Sequence, residues 1–116
     1  MERLWRATIN SWNGLGFVLR SERALQQEVV VFIVAIPVAF LLTSSAMQRF
    51  MLIGSIVFLI VVELLNTAIE KLADRVTREQ DVEIGQVKDI SSAAVGLSIL
   101  LVAAVWLWAL CGWLYR

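Results

Sequence analysis

This chain of 116 residues has no histidine, a single cysteine (Cys111) and a single proline (Pro37). Without histidine it can form neither a histidine-based triad nor most kinds of zinc site. One cysteine excludes an intrachain disulfide and a multi-cysteine metal centre. The formal net charge is zero and no basic stripe is present, so no nucleic-acid partner is expected. The phosphate-binding loop G-x-x-x-x-G-K-[ST] and the protein-kinase signatures are also missing.

Apolar sequence, by contrast, is abundant. Hydrophobic residues make up 59% of the chain and charged residues 17%, which is too apolar for an ordinary soluble domain. Three stretches, about 29–47, 50–69 and 93–115, can each cross a bilayer core, which needs ~20 helical residues. Pro37 lies inside the first stretch, where a membrane helix tolerates it better than a soluble one. We therefore predict an all-α membrane protein with three transmembrane helices, forming one domain over residues 1–116.

The first 20 residues follow a different pattern. Their apolar members recur at roughly helical spacing; these are Leu4, Trp5, Ile9, Trp12, Leu15 and Leu19. Arginines and asparagines interrupt the segment, so it lacks the apolar core of a secretory signal. An amphipathic helix in a protein core has the same pattern. The adjoining apolar stretches favour instead a surface helix, residues 1–20, that lies in the membrane interface.

The distribution of lysine and arginine predicts the orientation in the membrane. Eight of these residues precede the first span or lie between the second and third, and only Arg49 and Arg116 lie on the other side. The positive-inside rule then places the N-terminus and the 71–91 loop in the cytoplasm. The tryptophans near the C-terminus fall at the far interface, as an aromatic belt. Within the loop, a break in the helix is expected at Gly85.

A ladder of polar side chains follows the second apolar stretch. Glu63, Asn66, Glu70 and Asp74 lie at helical offsets 0, 3, 7 and 11, which places them within an arc of roughly 80° on one helix face. An ionisable group within the bilayer costs roughly 2.5–3.5 kcal/mol on insertion scales. A chain that places Glu63 there is expected to use it for chemistry or transport.

The ladder is suited to phosphoryl transfer. Glu63, the deepest member, is placed to act as a general base, and Asn66 can orient either neighbouring carboxylate. Glu70 and Asp74 offer hard oxygen ligands for Mg²⁺ held with a nucleotide, and Lys88 offers a cation for a phosphate. Two further carboxylates, Glu22 and Glu28, precede the first span. A proton or ion relay through Glu63 explains the residues equally well, and the outer charges alone are also compatible with a solvated helix end.

A resemblance to a known family distinguishes these alternatives. The stretch Glu63-Leu-Leu-Asn66-Thr-Ala-Ile-Glu70, followed by Asp74 and by Lys88-Asp89-Ile-Ser-Ser92-Ala-Ala-Val, resembles the bacterial integral-membrane diacylglycerol kinase family. The similarity extends over nearly the whole chain. It implies a homotrimer in the bacterial inner membrane, with active sites at subunit interfaces. It also implies transfer of the γ-phosphoryl group of MgATP to diacylglycerol, giving phosphatidic acid.

The resemblance further implies a role for individual residues. Glu63 corresponds to the general base that takes the proton of the lipid hydroxyl, with Asn66 as a supporting catalytic contact. Ser92 corresponds to a second lipid contact, and Glu22 and Glu70 to the ligands of Mg²⁺. The predicted ATP-binding residues, from the resemblance and the ladder together, are Arg3, Glu22, Glu70, Asp74, Glu79, Gln80, Asp81, Lys88 and Asp89.

Two features depart from the family pattern. Asn10 stands where a family member has a tyrosine near the nucleotide, and the loop 77–86 has a sequence of its own. A related branch of the family phosphorylates undecaprenol. The pair Gln27-Glu28 and the Ser91-Ser92-Ala pattern resemble the diacylglycerol branch more closely. Because a base at Glu63 would serve either alcohol, undecaprenol kinase remains the alternative.

Overall fold

The computed structural model describes residues 1–116, and every regular element is an α-helix. Helix α1 spans Glu2–Ser21, α2 spans Arg23–Leu42, α3 spans Ala46–Val76 and α4 spans Val82–Leu114. Helices α2, α3 and α4 are each long and apolar enough to cross a membrane. The predicted all-α architecture with three long apolar helices is therefore confirmed.

The connection between α2 and α3 begins earlier than the apolar pattern predicts. The first apolar stretch runs on to residue 47, whereas α2 ends at Leu42 and Thr43 adopts an extended backbone. The Thr43 hydroxyl accepts a hydrogen bond from the Ser45 N–H at 3.1 Å. Ser45, the N-cap of α3, accepts one from the Gln48 N–H at 3.2 Å. These hydroxyls offer backbone N–H groups an alternative to the helix, so one helix ends here and the next begins.

The break between α3 and α4 lies at residues 77–81 and not at Gly85. Asp81 is the N-cap of α4 and accepts a hydrogen bond from the Ile84 N–H at 3.0 Å. The Gly85 N–H donates to the Asp81 carbonyl at 2.9 Å, as in a regular helix. The prediction of a break at Gly85 is wrong because the cap at Asp81 starts the helix before the glycine is reached. Helix α4 consequently begins well before the third apolar stretch.

Helices α2, α3 and α4 meet in a small core. Ala39, Leu52 and Ala109, one from each helix, are almost fully buried. The small residues on α2 and α4 allow close approach, which is the main basis of helix packing in membranes. The indole N–H of Trp106 donates to the Leu52 carbonyl at 3.1 Å. Trp106 therefore packs against α3 in the bundle.

Much apolar surface is uncovered in the single chain. Only 13 of the 116 residues are buried, and none of them belongs to α1. On the apolar stripe of α1, Leu4, Trp5 and Trp12 are 69%, 66% and 78% exposed. A monomeric soluble protein rarely exposes so much contiguous apolar surface. Lipid or further protein therefore has to cover it.

Candidate active site

The polar ladder on α3 brings two predicted functional side chains into contact. Asn66 is 9% exposed, and its Nδ2 donates a hydrogen bond to Glu70 Oε1 at 3.2 Å. These residues are four apart, a spacing that makes side chains neighbours on a helix surface. Glu63 lies one turn away on the other side of Asn66. The amide is thus positioned between two carboxylates.

Ser91, on α4, determines how this amide is oriented. Its hydroxyl donates a hydrogen bond to Asn66 Oδ1, and both residues are buried. Because Oδ1 accepts from Ser91, the Nδ2 group is directed toward Glu70. The sequence predicted Ser92 as a site residue and gave no role to Ser91. The two serines are adjacent, and only the packing of α4 against α3 shows that Ser91 points inward while Ser92 is exposed.

Two carboxylates, one of them a member of the ladder, have a buried oxygen without a hydrogen-bond partner. One belongs to Glu63 on α3, and the other to Glu28 on α2. The two side chains lie in the same region of the bundle, and Glu70 and Glu22 also lie near Glu63. A buried polar atom without a partner is costly. Both oxygens are therefore available to accept a hydrogen bond or a proton from a bound molecule.

Glu22 lies at the corner between α1 and α2, where its extended backbone ends one helix and begins the next. Its Oε1 lies 3.4 Å from the Nζ of Lys71 on α3. The same Nζ lies 5.0 Å from the centre of the Phe17 ring. The ion pair thus joins the corner to Lys71 of α3, the residue directly after Glu70. Glu70 is the other predicted metal ligand.

The acidic side chains suit a metal ion that is shared with a phosphate. No three of them come close enough together to enclose a metal ion by themselves. Glu22 and Glu70 offer one carboxylate each, from the α1–α2 corner and from α3. Mg²⁺ is usually bound through one or two carboxylates, waters and substrate phosphates. The two carboxylates are therefore an appropriate donor set for Mg²⁺ bound together with a nucleotide.

A second group of predicted residues lines an open cavity at the start of α4. The cavity has a volume of about 510 Å³, and its lining includes Glu79, Gln80, Asp81 and Lys88. Lys88 Nζ lies 2.7 Å from Asp74 Oδ1, which joins α4 to the end of α3. Five residues of the predicted nucleotide set therefore come together here. The Asp81 side chain accepts the capping hydrogen bond of α4.

Three other predicted residues, Arg3, Asp89 and Ser92, do not line the cavity at the start of α4. Arg3 forms no ion pair, and it lines a separate open cavity of about 570 Å³ with residues of its own helix. Asp89 and Ser92 are exposed on α4 and make no side-chain hydrogen bond.

An apolar groove runs between α3 and α4 beside the ladder. Its volume is about 600 Å³, and ten of its twelve lining residues are hydrophobic. The two polar ones are Asn66 and Ser91, so the hydrogen bond that orients the ladder lies at the wall of an apolar space. Residues Val62 and Val76 mark its extent along α3. A hydrocarbon chain or a helix of another subunit can occupy a groove of this kind.

Comparison with known proteins gives consistent matches over most of the chain. The family model described as prokaryotic diacylglycerol kinase matches residues 9–110. A diacylglycerol kinase of Escherichia coli K12 is 36% identical over 104 residues, which cover 90% of this chain and 85% of that protein. The diacylglycerol kinase of Pseudomonas aeruginosa PAO1 is 37% identical over 112 residues, covering 97% and 91%. That of Haemophilus influenzae Rd is 30% identical over 106 residues, covering 91% and 90%.

Proposed function

Because this chain belongs to the prokaryotic diacylglycerol kinase family, we propose that it transfers the γ-phosphoryl group of MgATP to diacylglycerol, forming phosphatidic acid. Membership makes the chain a kinase, and its three long apolar helices make it a bacterial membrane protein. In this proposal the acceptor stays dissolved in the bilayer while the nucleotide approaches from water. The observation that carries it is the buried, unpaired oxygen of Glu63.

Glu63 is the general base of the proposed reaction. Its unpaired oxygen accepts the proton of the lipid hydroxyl while the hydroxyl oxygen bonds to the γ-phosphorus and the bond to the ADP oxygen breaks. Asn66 supports the site by holding Glu70, which leaves Glu63 free to take the proton. Ser92, exposed on α4, is proposed to contact the lipid.

The nucleotide is proposed to bind where the carboxylates and Lys88 meet. Glu22 and Glu70 would hold Mg²⁺, which when bound neutralises charge on the phosphates. Lys88 is already paired with one anionic oxygen, that of Asp74, and can donate to a phosphate oxygen in the same way. The proposed nucleotide-binding residues are Arg3, Glu22, Glu70, Asp74, Glu79, Gln80, Asp81, Lys88 and Asp89.

The proposed assembly is a homotrimer in the bacterial inner membrane, with the N-terminus and the 71–91 loop in the cytoplasm. Helix α1 would lie in the membrane interface, which would cover its exposed apolar stripe. Two observations support an oligomer with shared sites. The groove between α3 and α4 is open, and Arg3 is held apart from the other proposed nucleotide contacts.

The test is a kinase assay with the purified chain in mixed micelles, using labelled ATP and either diacylglycerol or undecaprenol. We expect labelled phosphatidic acid that depends on Mg²⁺. Glu63→Gln should lower turnover by about 10²–10⁴-fold, because it removes the proton acceptor and preserves the shape. Glu83→Gln removes an exposed carboxylate of α4 outside the proposed site and should leave turnover unchanged.

Other products would assign other functions. Preferential labelling of undecaprenol would place the chain in the branch that phosphorylates that alcohol. Absence of any magnesium-dependent lipid phosphate would contradict the proposal. If liposomes containing the protein then showed proton flux without ATP, and Glu63→Gln abolished it, ion conduction through Glu63 would be supported instead.

A further inference from the structure

Lys71 links α3 to the corner where α1 ends and α2 begins. Its Nζ lies 3.4 Å from Glu22 Oε1, with 49% of the lysine side chain and 35% of the glutamate side chain exposed. The same ammonium group lies 5.0 Å from the centre of the Phe17 ring. A carboxylate and an aromatic face both attract cations. Lys71 is therefore held by two side chains of the α1–α2 region.

We propose that Lys71 is a displaceable counter-ion of Glu22. Its ammonium group forms an ion pair with the Glu22 carboxylate until the divalent cation of the nucleotide complex binds that carboxylate. The ammonium group then moves away. Lys71 is on this account a positioning residue and not a catalytic one. The inference rests on the proposed function, in which Glu22 is a metal ligand.

The position of Glu22 explains why it benefits from a counter-ion. Its backbone is extended between two helices, so no regular element fixes the direction of its side chain. Lys71 follows Glu70 directly, and the ion pair therefore holds Glu22 beside the helix turn that carries the other proposed metal ligand. With the lysine present, Glu22 is kept beside α3 before any metal arrives.

The charges explain why Lys71 has to leave. An ammonium group and a divalent cation on one carboxylate repel each other, and the divalent cation has the stronger attraction. The lysine side chain is flexible and half exposed, so it can move away from Glu22 while remaining near Phe17. Metal binding at Glu22 is thus a competition between two cations.

The test measures Mn²⁺ binding by electron paramagnetic resonance. The full chain in detergent micelles is titrated with Mn²⁺ and a non-hydrolysable ATP analogue, without diacylglycerol. Lys71→Met removes the competing ammonium group, so this variant should bind Mn²⁺ more tightly than the unchanged protein. Because exposed ion pairs are weak, the gain in affinity should be at most about fivefold. Lys71→Gln should do the same, and Lys71→Arg, which retains the cation, should behave like the unchanged protein.

Arg75→Met is the matched control. It removes a positive charge from the same helix, one turn later, and Arg75 forms no ion pair. Its Mn²⁺ affinity should stay unchanged. The effect of Lys71→Met should also disappear when Glu22 is changed to Gln, because the contested carboxylate is then absent.

Equal affinities for Lys71→Met and Arg75→Met would overturn the inference, and so would weaker binding by Lys71→Met. The proposed function is tested separately by the lipid assay on the unchanged protein. That assay can fail while the Mn²⁺ comparison succeeds, and the reverse can also occur. The two failures are therefore distinguishable.

Discussion

Glu63 and Asn66 are one turn apart on α3, yet their surroundings differ. Both polar ends of the Asn66 side chain have a partner, since Oδ1 accepts from Ser91 and Nδ2 donates to Glu70. Glu63 retains a buried oxygen with none. An amide that is bonded through both its oxygen and its nitrogen holds its neighbours in place, whereas an unpaired carboxylate oxygen is ready to accept. This contrast is the basis for assigning proton transfer to Glu63 and support to Asn66.

Ser91→Ala tests whether the orientation of Asn66 matters. The substitution leaves a buried amide oxygen without its donor, which costs about 1–3 kcal/mol in soluble proteins. Hydrogen bonds between membrane helices contribute less, with an average near 0.6 kcal/mol. We therefore expect a stability loss of about 1 kcal/mol and a lower turnover, measured by thermal unfolding in micelles and by initial rates.

Ser98→Ala is the control for Ser91→Ala. Ser98 is a buried serine of the same helix, and its hydroxyl donates to the Ala94 carbonyl within that helix, at 2.9 Å. This change removes no contact of Asn66, so turnover should be preserved. Identical turnover in the Ser91 and Ser98 variants would show that Ser91 does not act through Asn66.

At the scale of helices, the start of α4 decides where Lys88 lies. The apolar pattern predicts a third span that begins at residue 93, but the cap at Asp81 starts the helix at Val82. Lys88 is consequently held on a regular helix that runs antiparallel to α3, and it meets Asp74 there. A loop at this position would leave Lys88 without a defined partner.

Asp81→Ala should loosen the first turn of α4. Loss of a side-chain N-cap costs typically about 1 kcal/mol, and hydrogen exchange of the amides in residues 82–86 should accelerate accordingly. Asp81→Asn keeps a capping oxygen but removes the charge, so its exchange should remain slow. Equal acceleration in the two variants would show that charge, and not the capping hydrogen bond, stabilises this turn.

At the scale of the whole molecule, the chain is too open to form a complete site. Its extents are 54 × 40 × 23 Å, and apolar side chains are exposed on all four helices. The acidic residues supply at most two carboxylates to one metal ion. These features support the proposal that lipid and other copies of the chain complete the site.

If the proposed homotrimer is correct, native mass spectrometry from detergent should detect three copies of the 13.0 kDa chain. If sites are shared, with Arg3 supplied by a neighbouring subunit, trimers that mix Glu63→Gln and Arg3→Ala subunits should regain part of the activity that each variant lacks alone. An active monomer, or mixed trimers as inactive as the parent variants, would contradict shared sites.

The sequence by itself determined the three apolar helices, the surface pattern of α1 and the ladder from Glu63 to Asp74. These follow from composition and helical spacing, which are local properties. Only the tertiary structure revealed that Ser91 orients Asn66 and that Lys71 pairs with Glu22. Each of these contacts joins two segments distant along the chain, and helix periodicity carries no information about which faces of different helices meet. The start of α4 was misplaced for a different reason: the capping hydrogen bond of Asp81, and not the nearby Gly85, determined where the helix begins.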